Sequence, residues 1–139
     1  MKDRIFIDTN LLIYYVSNDI LKKAIVKDLL IGNDEIVVSS QVITEFVSIT
    51  IKKQILSSEQ SINYANEFMD IFEFAAINKS TIKLSFEIIN RYGYSSWDSL
   101  IIASALENNC LILYTEDMQH NQIIGGILRI INPFRLGET

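Results

Sequence analysis

Asp8 in IFIDTN, Glu45 in SSQVITEF, Asp98 in YSSWDSLIIASA and Asp117 in LYTEDM are acids set at the ends of apolar runs or on helices about to pack. Carboxylates gathered near a protein interior are costly unless something neutralises them. If these four meet in the fold, a divalent cation is the simplest neutralising partner. Mg²⁺ and Mn²⁺ are hard cations that prefer oxygen ligands, and Mg²⁺ keeps several of its waters. A few carboxylates anchor one or two such ions and leave room for a substrate phosphate and a water. The chemistry they point to is attack on a phosphate ester.

Each acid also has a plainer reading. Ser95-Ser96-Trp97-Asp98 has the S-x-x-D form of a capping box, so Asp98 reads as a helix cap as well as a ligand. Glu45 shares a helical sector with the apolar Val42 and Ile49, which calls for a partner unless it lies at the stripe's edge in water. Asp8 before Thr9-Asn10 is good capping chemistry, and Glu116-Asp117 after a strand is ordinary turn chemistry. All four plain readings holding together is a heavier assumption than any one of them.

Other reactive side chains offer less. His120 is the only histidine and sits in a polar stretch, where a solvated ring is expected. Cys110 opens an apolar run and reads as a small core residue. One His and one Cys leave little for thiolate catalysis or a Cys/His zinc site. The serine pairs lack a nucleophile-elbow pattern, and no Gly-rich phosphate loop occurs. Trp97 is expected to pack under a cleft. Lys22, Lys23 and Lys27, and Lys52 with Lys53, form basic clusters that read as solvated helix faces or as phosphate contacts.

The elements that must position these residues alternate between strand and helix. Strands are expected over 4–8, 35–38, 74–78, 111–115 and 127–131, and helices over 11–16, 20–31, 40–54, 57–74, 80–92 and 95–109. Such alternation implies parallel pairing and a three-layer α/β/α sandwich on a mainly parallel sheet of four to five strands. Ligands of open sheets of this kind bind beyond the carboxyl ends of the strands, where Asp8 and Asp117 fall.

Composition bounds the rest. A chain of 139 residues with 49% hydrophobic content and one proline fits one domain, 1–139, with its own core. No apolar run is long enough to span a membrane, and Lys2, Asp3 and Arg4 precede a run already broken by Asp8, unlike a signal peptide. A lone cysteine suits a reducing cytoplasm. The net charge of −5 counts mildly against nucleic acid as a partner, although metal-bound acids offset part of it.

IFIDTNLLIY, SSQVITEF, YSSWDSLIIASALENNC and LYTEDMQ, in that order across nearly the full length, resemble a PIN-domain ribonuclease, most closely a VapC-type toxin of a toxin–antitoxin pair. The resemblance implies a PIN-like fold and an RNA-cleaving enzyme. It makes Asp8, Glu45, Asp98 and Asp117 the quartet that binds Mg²⁺ or Mn²⁺. It assigns Asn10 and Thr115 to holding those acids in place, with Glu116 as an auxiliary acid whose direction is open. It also implies a homodimer and a cognate antitoxin that enters the groove. Gln119-His120-Asn121 departs from the glycine usual after this last motif, which bears on loop shape. The competing reading is a PIN scaffold without turnover that binds RNA or protein. A phosphate-accepting signalling domain ranks last, because Asp8 has no adjacent acid and Tyr114-Thr115-Glu116 offers no lysine.

Overall fold

A computed structural model describes residues 3–135; residues 1–2 and 136–139 of the expected single domain lie outside it. The strands are β1 (Ile5–Ile7), β2 (Ile36–Ser39), β3 (Glu73–Ala75), β4 (Ile112–Tyr114), β5 (Ile123–Ile124) and β6 (Leu128–Ile131). The helices are α1 (Thr9–Val16), α2 (Ile20–Ile31), α3 (Ser40–Lys52), α4 (Ser58–Ile71), α5 (Lys79–Tyr92) and α6 (Ser96–Glu107), with a closing 3₁₀ turn over Pro133–Arg135.

The sheet order is β3-β2-β1-β4-β6-β5, all parallel except the β5–β6 pair. Its middle is β1, whose Ile5, Phe6 and Ile7 are fully buried. An all-apolar strand is what a sheet covered on both faces requires. From β1 the chain steps one way to β2 and β3, then returns to β4 on the other side. Right-handed crossovers therefore put α1–α4 over one face and α5 with α6 over the other. The contacts agree: α1 touches α2 and α3, α3 touches α4, and α5 lies along α6.

The sheet has one strand more than the four to five expected. Residues Ile123 and Ile124 fold back against β6. The turn runs through Gly125 and Gly126, at φ 60° and 71°, in the left-handed region that glycine adopts without strain. Two residues are too few to show any alternation. Elsewhere the ends shift by small amounts, because side-chain caps decide them. Ser39, Ser57, Asn78 and Ser95 each accept a backbone N–H of the helix that follows, as residues of these types do at helix starts. Gly93, with φ 76°, ends α5 in the usual left-handed way. Asn121 takes φ 69° in the loop after β4, a conformation that asparagine tolerates better than most residues. Among the described residues no helix is long and apolar enough to cross a membrane.

Candidate active site

Parallel pairing of β1, β2 and β4 brings their carboxyl ends to one edge of the sheet. Asp8 follows β1 directly, and Thr115-Glu116-Asp117 follows β4. Glu45 lies in the second turn of α3, which leaves the end of β2, and Asp98 lies in the first turn of α6. One cavity of about 390 Å³ takes in Asp8, Glu45, Asp98 and Asp117, with Asn10 and Glu116 also on its wall. The four acids expected from sequence therefore share one site.

Asp8 is the buried member, 6% exposed. One carboxylate oxygen accepts the Thr9 backbone N–H at 2.7 Å, and the other accepts the Thr115 hydroxyl at 2.8 Å. Its own N–H donates to Tyr114 O at 3.0 Å, fixing the turn to the sheet. Asp8 is thus both helix cap and cavity wall; the plain and the chemical readings are compatible. Burial pushes its pKa up from 3.8 to about 6 against the lowering effect of those two bonds, and the charges of Glu45 and Asp98 raise it further. Loss of hydration and nearby like charge both disfavour the ionised carboxylate.

Glu45 is half-buried and held at both oxygens. Thr9 Oγ1 donates to one at 3.1 Å, and Gln41 Nε2 donates to the other at 2.7 Å. The same Gln41 amide donates to Trp97 O at 3.2 Å, tying α3 to the start of α6. Gln41 and Thr9 were not among the expected site residues. The available signal was Gln41 one turn before Glu45, an i, i+4 pair on one helix face; the Thr9 contact is visible only in three dimensions.

Asp98 is half-buried, and its pKa is raised by burial first and then by the charge of Asp117. Ser95 accepts the Asp98 N–H at 3.1 Å, which is half of the capping box read from sequence. The reciprocal bond to the Ser95 backbone is absent; the Asp98 carboxylate interacts instead with the Ser95 side chain and lines the cavity. Asp117 is exposed and accepts Asn10 Nδ2 at 3.0 Å. Asn10 also reaches Thr115 Oγ1 at 3.5 Å and accepts the Glu116 N–H at 3.4 Å. Asn10 and Thr115 therefore knit the loop after β4 to the loop after β1. Glu116 is held differently: its carboxylate pairs with Lys22 and accepts the Tyr14 hydroxyl. Lys22 also lies 4.6 Å from the Tyr14 ring centre and 5.0 Å from that of Phe134. That basic residue is an internal partner, whereas Lys53 lines the acid cavity.

Two expectations fail. Trp97 does not pack under the cleft; at 67% exposed it stands on the wall of the acid cavity. His120 is half-buried rather than solvated, and its Nδ1 accepts the Asn132 N–H at 2.9 Å. Cys110 is fully buried, as expected, and burial pushes its thiol up to about 12.

The donor set suits a hard cation. It is made of carboxylate oxygens, with amide N–H and hydroxyl donors behind them and neither sulfur nor imidazole in the cavity wall. Neither ion pair of the described residues, Arg4–Glu73 or Lys22–Glu116, involves any of the four acids. Burial first and like charge after it raise Asp8 and Asp98, and a bound cation would relieve the like charge. Among the described residues no three such side chains are close enough together to enclose an ion.

Comparison with known proteins decides the family. The PIN domain family model matches residues 5–125. This chain is a PIN domain. Among solved structures, the PIN domain described here is similar to the DNA-bound VapBC of Salmonella typhimurium (20% identity, 91% of this chain and 96% of that one, TM-score 0.70). It is similar in fold to a toxin–antitoxin complex of Klebsiella pneumoniae (21% identity, 94% and 97%, TM-score 0.68). A third is Mycobacterium tuberculosis VapC20, a sarcin–ricin loop cleaving toxin (13% identity, 78% and 86%, TM-score 0.66). At these identities the likeness is one of fold. No curated protein sequence matches the chain.

Proposed function

We propose that this PIN domain is a metal-dependent endoribonuclease, a VapC-type toxin whose activity a cognate antitoxin restrains. The observation that carries the reading is the meeting of Asp8, Glu45, Asp98 and Asp117 in one cavity at the carboxyl edge of the sheet, outside either described ion pair. The fold relatives, which include a toxin that cleaves the sarcin–ricin loop and a toxin–antitoxin complex, support it.

In this reading the four acids hold Mg²⁺ or Mn²⁺. Bound there, such an ion supplies Lewis-acid polarisation of a phosphoryl oxygen and lowers the pKa of a water. The chain's own residues do the positioning. Asp8 is fixed from both sides by Thr9 N and Thr115 Oγ1, which leaves it little freedom to turn. Thr9 and Gln41 aim Glu45, and Asn10 aims Asp117. Lys53 at the cavity wall attracts the backbone of the arriving RNA. The antitoxin reaches the same cavity, where an arginine pairs with the carboxylates and competes with metal. The active protein is a homodimer in the cytoplasm.

The test compares wild type with Asp8→Asn on a panel of structured RNAs, with Mg²⁺, with Mn²⁺ and with EDTA. Cleavage by wild type only, and only with metal, is the expected result. Equal cleavage by both proteins would place the activity elsewhere, and no cleavage under any condition would favour a binding scaffold.

A further inference from the structure

We infer that the groove beside the acid cavity is a subsite for one unpaired RNA base, stacked on Trp97; this rests on the RNA-cleaving reading of the adjoining acids. The groove, of about 730 Å³, runs between the start of α3 and the start of α6. It is continuous with the acid cavity, for Gln41, Glu45 and Trp97 line both. Trp97 is 67% exposed there, a large apolar ring held in water where burial would be favourable. A phosphodiester placed against the acids carries a nucleotide on each side, and one of them must leave along a wall of the cavity. Leu100 and Ile77 supply apolar lining, and Ser40, Thr44 and Ser48 supply hydroxyls.

Charge selects a base over a phosphate in this groove. No cation lines it and Glu45 is one of its walls, so a phosphate would be repelled while a neutral planar ring is not. An indole face takes any base, because every base has a π-face, and it requires that the base be free of its own helix. The substrate is then single-stranded or looped at the nucleotide next to the cut.

Trp97 is the only tryptophan in the chain, so its emission reports the contact directly. Full-length wild-type protein with Mg²⁺ is titrated with short single-stranded oligo-A, oligo-U and a mixed-sequence RNA, each made cleavage-resistant by phosphorothioate linkages, and with an abasic ribose-phosphate chain of equal length and linkage. Binding is followed separately by anisotropy. Saturable quenching by the RNAs and none by the abasic chain is expected. Trp97→Ala should weaken RNA binding roughly 10-fold, the size of a lost base stack, and leave the abasic chain unaffected, while Trp97→Phe retains most of the affinity. RNA that binds without changing the emission overturns the inference. So does Trp97→Ala weakening both chains alike, which would mean a structural role for the indole. An emission change on adding an antitoxin protein but not RNA overturns it in favour of a protein occupant. Metal-dependent RNA cleavage by wild type, measured in parallel, separates the two readings. Cleavage without quenching removes only the stacking site, quenching without cleavage removes only the nuclease, and neither removes both.

Discussion

Asp8 is the residue on which the site turns. Its folded pKa of about 6 lies above its ordinary 3.8, so the folded protein holds this proton more tightly than the unfolded chain does. Below about 3.8 the group is protonated in both states and costs nothing. Between about 4 and 6 stability falls as pH rises, and above that the penalty levels off at about 3 kcal/mol. Asp8→Asn should therefore stabilise the metal-free protein at pH 7, and the difference in unfolding free energy between the two should vanish below about pH 4. Urea titrations across that range, in EDTA, measure it. With millimolar Mg²⁺ or Mn²⁺ the wild type should gain melting temperature and Asp8→Asn should not. A flat wild-type response would count against the metal centre. Cys110 gives a second residue-scale expectation. It is buried, with its thiol pushed up to about 12. It should resist a thiol reagent at pH 8 until the protein is unfolded.

At the scale of elements, the site depends on where two helices begin. Asp98 is aimed by the first turn of α6, whose cap is Ser95. Ser95→Ala should cost about 1 kcal/mol of stability. It should also weaken the metal-induced rise in melting temperature, because a frayed first turn no longer fixes Asp98. A loss of stability with an unchanged metal response would show that the cap serves only the helix. The start of α3 is tied to the start of α6 through Gln41, which bonds both Glu45 and Trp97 O. Gln41→Ala should lower the cleavage rate more than it lowers substrate affinity, since it frees Glu45 without altering the groove's apolar lining.

For the whole molecule, the net charge of −5 is unevenly placed. Five acids line one cavity, and Lys53 is the lysine on its wall, while Lys22 is committed to one of the five, Glu116. RNA must approach a negative site, so metal loading and binding should be coupled, with weak RNA binding in EDTA. Lys53→Gln should weaken binding of all RNAs about equally and reduce the salt slope by about 1. Lys23→Gln, on α2 and off the cavity wall, should leave that slope unchanged.

Local chemistry made much of this legible in one dimension. The apolar run at Ile5–Ile7, the spacing over Ile20–Ile31 and the Ser, Asn and Gly caps are short-range signals, and the helices and most strands follow them. The ordered motifs around Asp8, Glu45, Asp98 and Asp117 marked the candidate site because strand ends in a parallel sheet face one edge. What only the tertiary structure decided depends on residues far apart in the chain. Thr9 and Gln41 grip Glu45, Glu116 turns aside to Lys22, and His120 serves Asn132. Strand β5 forms only because β6 is there to receive two residues. Trp97 shows the limit best. It is expected from sequence to pack under the cleft, yet whether a ring is buried depends on what packs over it, and Trp97 is left largely exposed.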